Sequence, residues 1–282
     1  MQSPDRESRT AGYVAALRGL GVLLPRAGRL IDDPFGAAWT GWGRLRRVAV
    51  KMPAAAALLS RPMWRWLLYM QVRTFALDRE IERFAAAGGR QLVLLGAGLD
   101  ARALRLRKLD LEVFEVDHPA TQRRKRRLVG DAATLVPFDF ERDPLEELPR
   151  RLAALGWRTG EAGCVVCEGV TMYLSEDANA ATFAMLKDLL APGSVVAFTY
   201  FTAAFLTAPG RGRRLLRRLV TNAGEPWVFG WDPEALPDWL AARGFALERD
   251  VSTVEVAGAV LPDRLARRLR EDQRRIARAR RQ

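Results

Sequence analysis

The spacing of apolar residues changes several times along the chain, and each change marks an element. From Ala11 to Leu24 they recur every three or four residues, which predicts a helix. Asp32-Asp33-Pro34-Phe35 reads as a turn, and Pro53 to Phe84 predicts one or two more helices. The period then shortens. Leu92 to Leu95 is an unbroken apolar run that stops at Gly96-Ala97-Gly98, after which Leu99, Ala103, Leu104 and Leu106 restore helical spacing. Val113 to Val116 is a second strand-like run and ends on Asp117. Strand, glycine turn, helix and strand together make the front half of a nucleotide-binding βαβ unit.

The same alternation continues. A charged helix over Gln122–Leu128 leads to a third strand at Leu135–Phe140, then a helix over Pro144–Leu155 and a fourth strand at Cys164–Cys167. Helix Ala178–Leu190, strand Ser194–Tyr200, a helix from Pro233 to Gly244 capped by Asp232, and a strand near Val251–Val256 complete the series. The tail from Arg264 to Arg281 reads as a polar, solvated helix with Leu265, Leu269 and Ile276 on one stripe. Strands that alternate with helices imply an α/β architecture with a parallel sheet.

The turn is specific about what it holds. Glycines at 96 and 98 permit positive φ and a close approach of the backbone to a ligand. An acid about twenty residues on, Asp117, suits a pair of ribose hydroxyls. Dinucleotides and S-adenosylmethionine both fit this arrangement, and Gly96-x-Gly98-x-x-Ala101 satisfies the permissive dinucleotide pattern. Asp100 favours the methyl donor, because a carboxylate there would repel a pyrophosphate while an ammonium and a sulfonium meet no such conflict. Further along, Asp139 closes the third strand, where it could accept from an adenine amino group while the Phe140 backbone serves a ring nitrogen. Glu168 and Tyr173 arrive at the carboxyl edge of the fourth strand, where open parallel sheets place their ligands. Arg73, just before the first strand, could clamp a carboxylate bidentately, or could be a solvated helix arginine.

Composition narrows the class. The 282 residues suit one large domain, and the apolar and charged fractions, 49% and 28%, are ordinary for a globular protein. The net charge of +12 raises the question of nucleic acid. Arginine is spread along the whole chain, however, and no aromatic residues are interleaved with the basic clusters at Arg211–Arg218 and Arg264–Arg281. No nucleic-acid partner is therefore expected. Cys164 and Cys167 have CxxC spacing, but in a strand residues three apart face opposite ways, so both read as buried apolar residues and no metal is expected. No signal peptide is expected from the polar first ten residues. Arg61, Pro62 and Arg65 interrupt any membrane span, and a reducing cytoplasm fits the cysteine usage.

Taken together and in order, LLGAGLDARALRL, FEVDHP, FDF and CEGVTMYL resemble the leucine carboxyl methyltransferase family. That family includes bacterial S-adenosylmethionine-dependent O-methyltransferases of polyketide and related secondary metabolism. The likeness runs from Asp32-Asp33-Pro34-Phe35 to Gly244-Phe245 and includes VRTFALD and GEPWVFGWDPEAL. It implies a class I methyltransferase (Rossmann-like) fold, a seven-stranded and mostly parallel sheet with an N-terminal helical extension and a lid insertion. The chain then divides into an N-terminal helical cap (1–85), a donor-binding core (90–200), an acceptor lid (201–230), and C-terminal core elements ending in a basic helix (231–282). By the same resemblance Arg73 binds the methionine carboxylate. Gly96, Ala97 and Gly98 turn beneath the donor, with Asp100 beside them. Asp117 holds the ribose and His118 lies on its adenosine side. Asp139 and Phe140 flank the adenine, and Glu168 with Gly169 lies near the methionine. Ala101 and His118 depart from the family's usual residues at those positions.

The implied reaction is in-line transfer of a methyl group to an acceptor oxygen, in which the protein supplies orientation and proximity. A carboxylate acceptor needs no general base, whereas a hydroxyl is helped by one. The chain's single histidine, His118, is assigned a structural or rim role, so carboxyl methylation is favoured, with Tyr173 and either Arg18 or Arg73 orienting the acceptor. The expected acceptor is a small, partly apolar natural product walled by tryptophans 64, 66, 227 and 231. A peptide or protein carboxyl terminus is the alternative, and a nucleic-acid-modifying protein a third.

Overall fold

The computed structural model describes residues 9–207, 226–270 and 272–282. Among the described residues five α-helices precede the sheet: α1 (Arg9–Gly19), α2 (Pro34–Trp39), α3 (Gly43–Lys51), α4 (Pro53–Leu59) and the long α5 (Trp64–Ala86). Asp33 starts α2 by accepting from the N–H groups of Phe35 and Gly36, with Pro34 at the first helical position. The core then runs β1 (Gln91–Leu95), α6 (Arg102–Arg105), β2 (Glu112–Asp117), α7 (Pro119–Val129), β3 (Thr134–Pro137), α8 (Leu148–Ala154), β4 (Gly163–Cys167), α9 (Glu176–Leu189), β5 (Val195–Phe201) and α10 (Ala203–Thr207). After the helix Leu236–Ala241 come β6 (Phe245–Ser252), the helices Thr253–Val260 and Asp263–Ala266, and β7 (Arg274–Arg281).

The seven strands form one sheet in the order β3-β2-β1-β4-β5-β7-β6. β1 to β5 are parallel and β7 runs antiparallel between β5 and β6. The order reverses between β1 and β4, which opens a crevice at their carboxyl ends. Register brings the tips level: Leu95 lies opposite Val116, Asp117 opposite Pro137, and Leu94 opposite Val166. Gly96, Asp117 and Glu168 therefore reach one edge together.

Strand periodicity sorts the core into two layers. Leu92, Leu94, Cys164, Val166 and Ile276 face α1 and α5, while Val93, Leu95, Val165, Cys167 and Ala277 face α8 and α9. The two cysteines thus lie on opposite faces, as the spacing predicts, and burial pushes both thiols up to about 12. Among the described residues no His/Cys/Asp/Glu group could hold a metal ion. No helix among them is long and apolar enough to cross a membrane.

Three expectations are corrected. The basic tail is not a solvated helix: beyond Asp263–Ala266 it is β7, inside the sheet. Its arginines are neutralised by acids distant in sequence, Arg275 by Asp250 at 2.9 Å and Arg278 by Glu248 at 2.8 Å. The strand expected at Val251–Val256 is displaced to Phe245–Ser252, where Ser252 and Glu255 form a capping box that starts a helix. The helix after the glycine turn is a single turn, Arg102–Arg105, followed by a 3-10 turn over Arg107–Leu109 that ends at Asp110, φ 52°. The Arg211–Arg218 cluster, and most of the expected lid, lie outside the described residues.

Candidate functional site

The crevice is built from the glycine turn upward. Gly96 and Ala97 both donate to Val116 O, at 2.9 and 3.1 Å, which ties the turn to β2. Gly96 has φ +67°, and a Cβ there would lie 2.5 Å from Val170 Cγ2, so both conformation and space require glycine. Gly98 has φ +47° and approaches Ala11 of α1, where an added Cβ would lie 3.0 Å from the Ala11 Cβ. Helix α1 therefore roofs the turn. It is fixed there by Arg18, which pairs with Asp33 and donates from Nη2 to Leu99 O at 2.7 Å. Arg18 thus stands as a buried clamp between α1, Asp33 and the end of the glycine turn.

Asp117 is half-buried at the tip of β2. Its Oδ2 accepts from Gly98 N at 2.6 Å and its Oδ1 from His118 N at 2.7 Å. Burial raises its carboxyl above the ordinary range, against the Gly98 N–H and Lys125, which act to lower it. A carboxylate offers about four lone-pair sites, so two main-chain donors leave room for a vicinal diol. His118 starts α7 by accepting at Nδ1 from Ala120 N, 3.2 Å away, and its Nε2 lies 3.5 Å from Asp139 Oδ2. That Asp139 is itself held by Glu141 N at 3.0 Å, and Phe140 stacks edge-on against Phe138 at 5.1 Å. The histidine is a structural bridge between the β2 and β3 tips.

On the other side of the turn lies a buried ionic cluster. Glu168 accepts from Arg73 Nε at 2.7 Å and from Arg102 Nη1 at 2.5 Å. Arg102, fully buried, also pairs with Asp100 and with Asp78, the latter at 2.7 Å. Arg105 reaches Asp78 at 2.7 Å. Burial alone would raise the Glu168 carboxyl, but Arg102 and Arg73 outweigh it and hold it at about 2. Burial likewise opposes ionisation of Asp100, and Arg102 and Arg18 still keep it well below its usual range. Arg102 was not among the residues expected at the site. Its partners Asp78 and Glu168 are 24 and 66 residues away, and only its neighbour Asp100 hinted at it.

The third part of the edge is aromatic. Met172, Phe201 and Phe205 form a small buried cluster joined by Tyr173 and Trp227. Tyr173 thus lines this apolar wall and not the ionic cluster. Of the expected walls, Trp227 belongs here, 4.9 Å from the Phe201 ring. Trp231 is core, packed on Phe198 and Trp239, and Trp64 is tied down by its Nε1–H to Ala57 O at 3.1 Å. A second unexpected residue is Arg274. It opens β7 opposite Phe201, so it stands at the carboxyl edge of β5, and it is buried. Its guanidinium lies 4.5 Å from the Tyr69 ring, 5.3 Å from Trp66 and 5.4 Å from Phe205. Arg73 lies 5.4 Å from the same Tyr69 ring.

The chain has relatives among known proteins. Residues 11–187 match the family model for leucine carboxyl methyltransferase. A protein of Mycobacterium bovis (strain BCG / Pasteur 1173P2), provisionally named an S-adenosyl-L-methionine-dependent methyltransferase, is 30% identical over 290 residues, 94% of this chain and 93% of its own. A protein of the same provisional name from Mycobacteroides abscessus is 30% identical over 93% of this chain and 90% of its own. Two crystal structures share the fold across nearly the whole chain. One is a DUF574 family protein of Streptomyces avermitilis, with TM-score 0.61, 14% identity and 99% of each chain covered. The other is provisionally a methyltransferase of Thermobifida fusca, with TM-score 0.55, 18% identity and 94% of each chain covered. The architecture is that of class I methyltransferases.

Proposed function

Because this chain belongs to the leucine carboxyl methyltransferase family, we propose that its S-adenosyl-L-methionine-dependent methyl transfer is directed to the oxygen of a small acceptor, most favourably a carboxylate. The observation that carries the donor half is Asp117, at the tip of β2 and bonded to the glycine turn that follows β1. The residues fit the donor. Gly96 and Gly98 leave the cradle without side chains, Asp117 offers acceptors to the ribose hydroxyls, and Asp139 with Phe140 stands where the adenine would be flanked. Arg73 would hold the methionine carboxylate, and Glu168 fixes that guanidinium through Nε. Ala97, Asp100, His118 and Gly169 complete the surrounding wall. When bound, the donor supplies an electrophilic methyl group on sulfur.

Two features of this chain support a carboxylate acceptor. The sole histidine is occupied as a helix cap on the adenosine side, so no imidazole is placed to deprotonate a hydroxyl. Arg274 puts a buried guanidinium beside the aromatic wall of Phe205 and Trp66, a setting that suits an anionic head on an apolar body. Tyr173, in the same aromatic cluster as Phe205, orients the acceptor. Members of a carboxylic-acid and phenol panel incubated with labelled donor should show carboxyl esters, and Arg274→Met should raise KM for acids about tenfold or more while leaving donor affinity unchanged. Labelling of phenols alone, or of peptide C-termini alone, would refute the small-acid reading.

A further inference from the structure

The helical cap presents a surface that the methyltransferase chemistry does not use. From Pro34 to Leu77 the sequence holds no acid, while it carries seven basic residues. In α3 these form one stripe, Arg44, Arg47 and Lys51, spaced three and four residues apart and exposed to solvent. Beside it runs a second stripe of the same spacing, Leu45, Val48 and Met52, of which Val48 and Met52 are more than half exposed. α4 and the turn after it continue the apolar line with Leu58, Leu59 and Met63, Leu59 being 82% exposed. Most of the exposed large apolar side chains among the described residues fall in this one stretch.

The inner side of the same hairpin is anchored. Both α3 and α4 rest on the turn Leu20–Leu23, Ala49 is buried, and Ser60 Oγ donates to Leu23 O at 2.7 Å. Arg46 is held by Asp32. Arg44, Arg47, Lys51 and Arg61 make no ion pair among the described residues. A rigid support therefore holds apolar tips and unneutralised cations outward together.

We propose that this α3–α4 face docks the protein on an anionic lipid surface, with Leu58, Leu59 and Met63 entering the acyl boundary and the arginines meeting the headgroups. Apolar side chains rimmed by Lys and Arg are the signature of an interfacial helix. Each such cation near an anionic leaflet strengthens binding. The other candidate occupants share the wrong charge. A second copy meeting this face symmetrically would set its cations against like cations. Residues 208–225 carry five arginines and one acid, so they are no complement to it either.

The test is flotation of the full chain with vesicles of phosphatidylcholine alone and with about 30 mol % phosphatidylglycerol. Binding is expected to the anionic vesicles and to weaken with added salt. Arg44→Glu/Arg47→Glu/Lys51→Glu should lower the partition coefficient at least about a hundredfold. Leu58→Ser/Leu59→Ser should lower it about tenfold or more while keeping the salt dependence. All five positions are exposed, so thermal melts of both variants should match the parent. The proposal is overturned if anionic vesicles do not bind the protein, or if neither variant alters binding. It is equally overturned if sedimentation velocity shows a dimer that the serine variant dissociates.

Discussion

Replacing Arg102 by methionine keeps most of the side chain's length and removes its charge. In the folded chain this guanidinium is fully buried and touches Asp78 at 2.7 Å, Glu168 at 2.5 Å, and Asp100. Its loss leaves the three carboxylates with Arg18, Arg73 and Arg105 as the cations around them. Removing one partner of a buried ion pair costs about 3–5 kcal/mol, against a total stability of about 5–15 kcal/mol for a folded domain. The melting temperature should fall by about 10 °C. The pH dependence gives a sharper signature. Glu168 is held at about 2 in the folded chain, below its unfolded value of about 4.3. Its stabilisation is present above that unfolded value and is lost as pH falls towards 2. Without Arg102 the Glu168 carboxyl loses the largest charge that opposes its burial, so less of this stabilisation should remain. Urea unfolding of both proteins at about pH 3 and about pH 5 measures it, and the parent should gain more stability than the variant between the two. A loss under about 1 kcal/mol at about pH 5, or an equal gain in both proteins, would refute the reasoning.

Other consequences are smaller in scope. Gly96→Ala places a methyl 2.5 Å from Val170 Cγ2 at φ +67°, so it should cost about 1–2 kcal/mol or more by thermal melt and weaken donor binding in calorimetry. Burial pushes Glu115 up to about 7 despite Lys125 at 2.7 Å. A carboxyl raised in this way makes stability decline as pH climbs from about 4.3, and Glu115→Gln should flatten that decline in urea titrations. The thiols of Cys164 and Cys167, pushed up to about 12, should resist alkylation in the native protein and react only after unfolding; prompt native labelling would contradict their packing.

The strands and the glycine turn were readable because their information is local. Leu92–Leu95 is apolar without interruption since β1 is covered on both faces, and Gly96 is glycine because φ and Val170 leave no alternative. Asp117 lies where β2 ends, so one run of residues marks both the strand and the acid at its tip. The tail was misread because its meaning is remote. RRIARARR is a strand only once Asp250 and Glu248 neutralise its arginines and β5 and β6 take up its backbone hydrogen bonds. None of those partners is adjacent in sequence. The same holds for Arg102, whose role depends on Asp78 and Glu168, and for Arg274, whose place beside Tyr69 and Phe205 depends on β7 being a strand. Arg18 had the opposite fate: its charge suggested a ligand, and Asp33 and Leu99 O account for it.

The central claim is that Asp117 receives the ribose hydroxyls of an adenosyl donor. Calorimetric titration of S-adenosylhomocysteine and its 2′-deoxy analogue into the parent and Asp117→Ala tests it directly. The parent should bind the by-product and prefer it over the deoxy analogue by about tenfold or more, a preference that the alanine variant loses. An equal preference in both proteins, or a parent that binds NAD and not S-adenosylhomocysteine, would contradict the account.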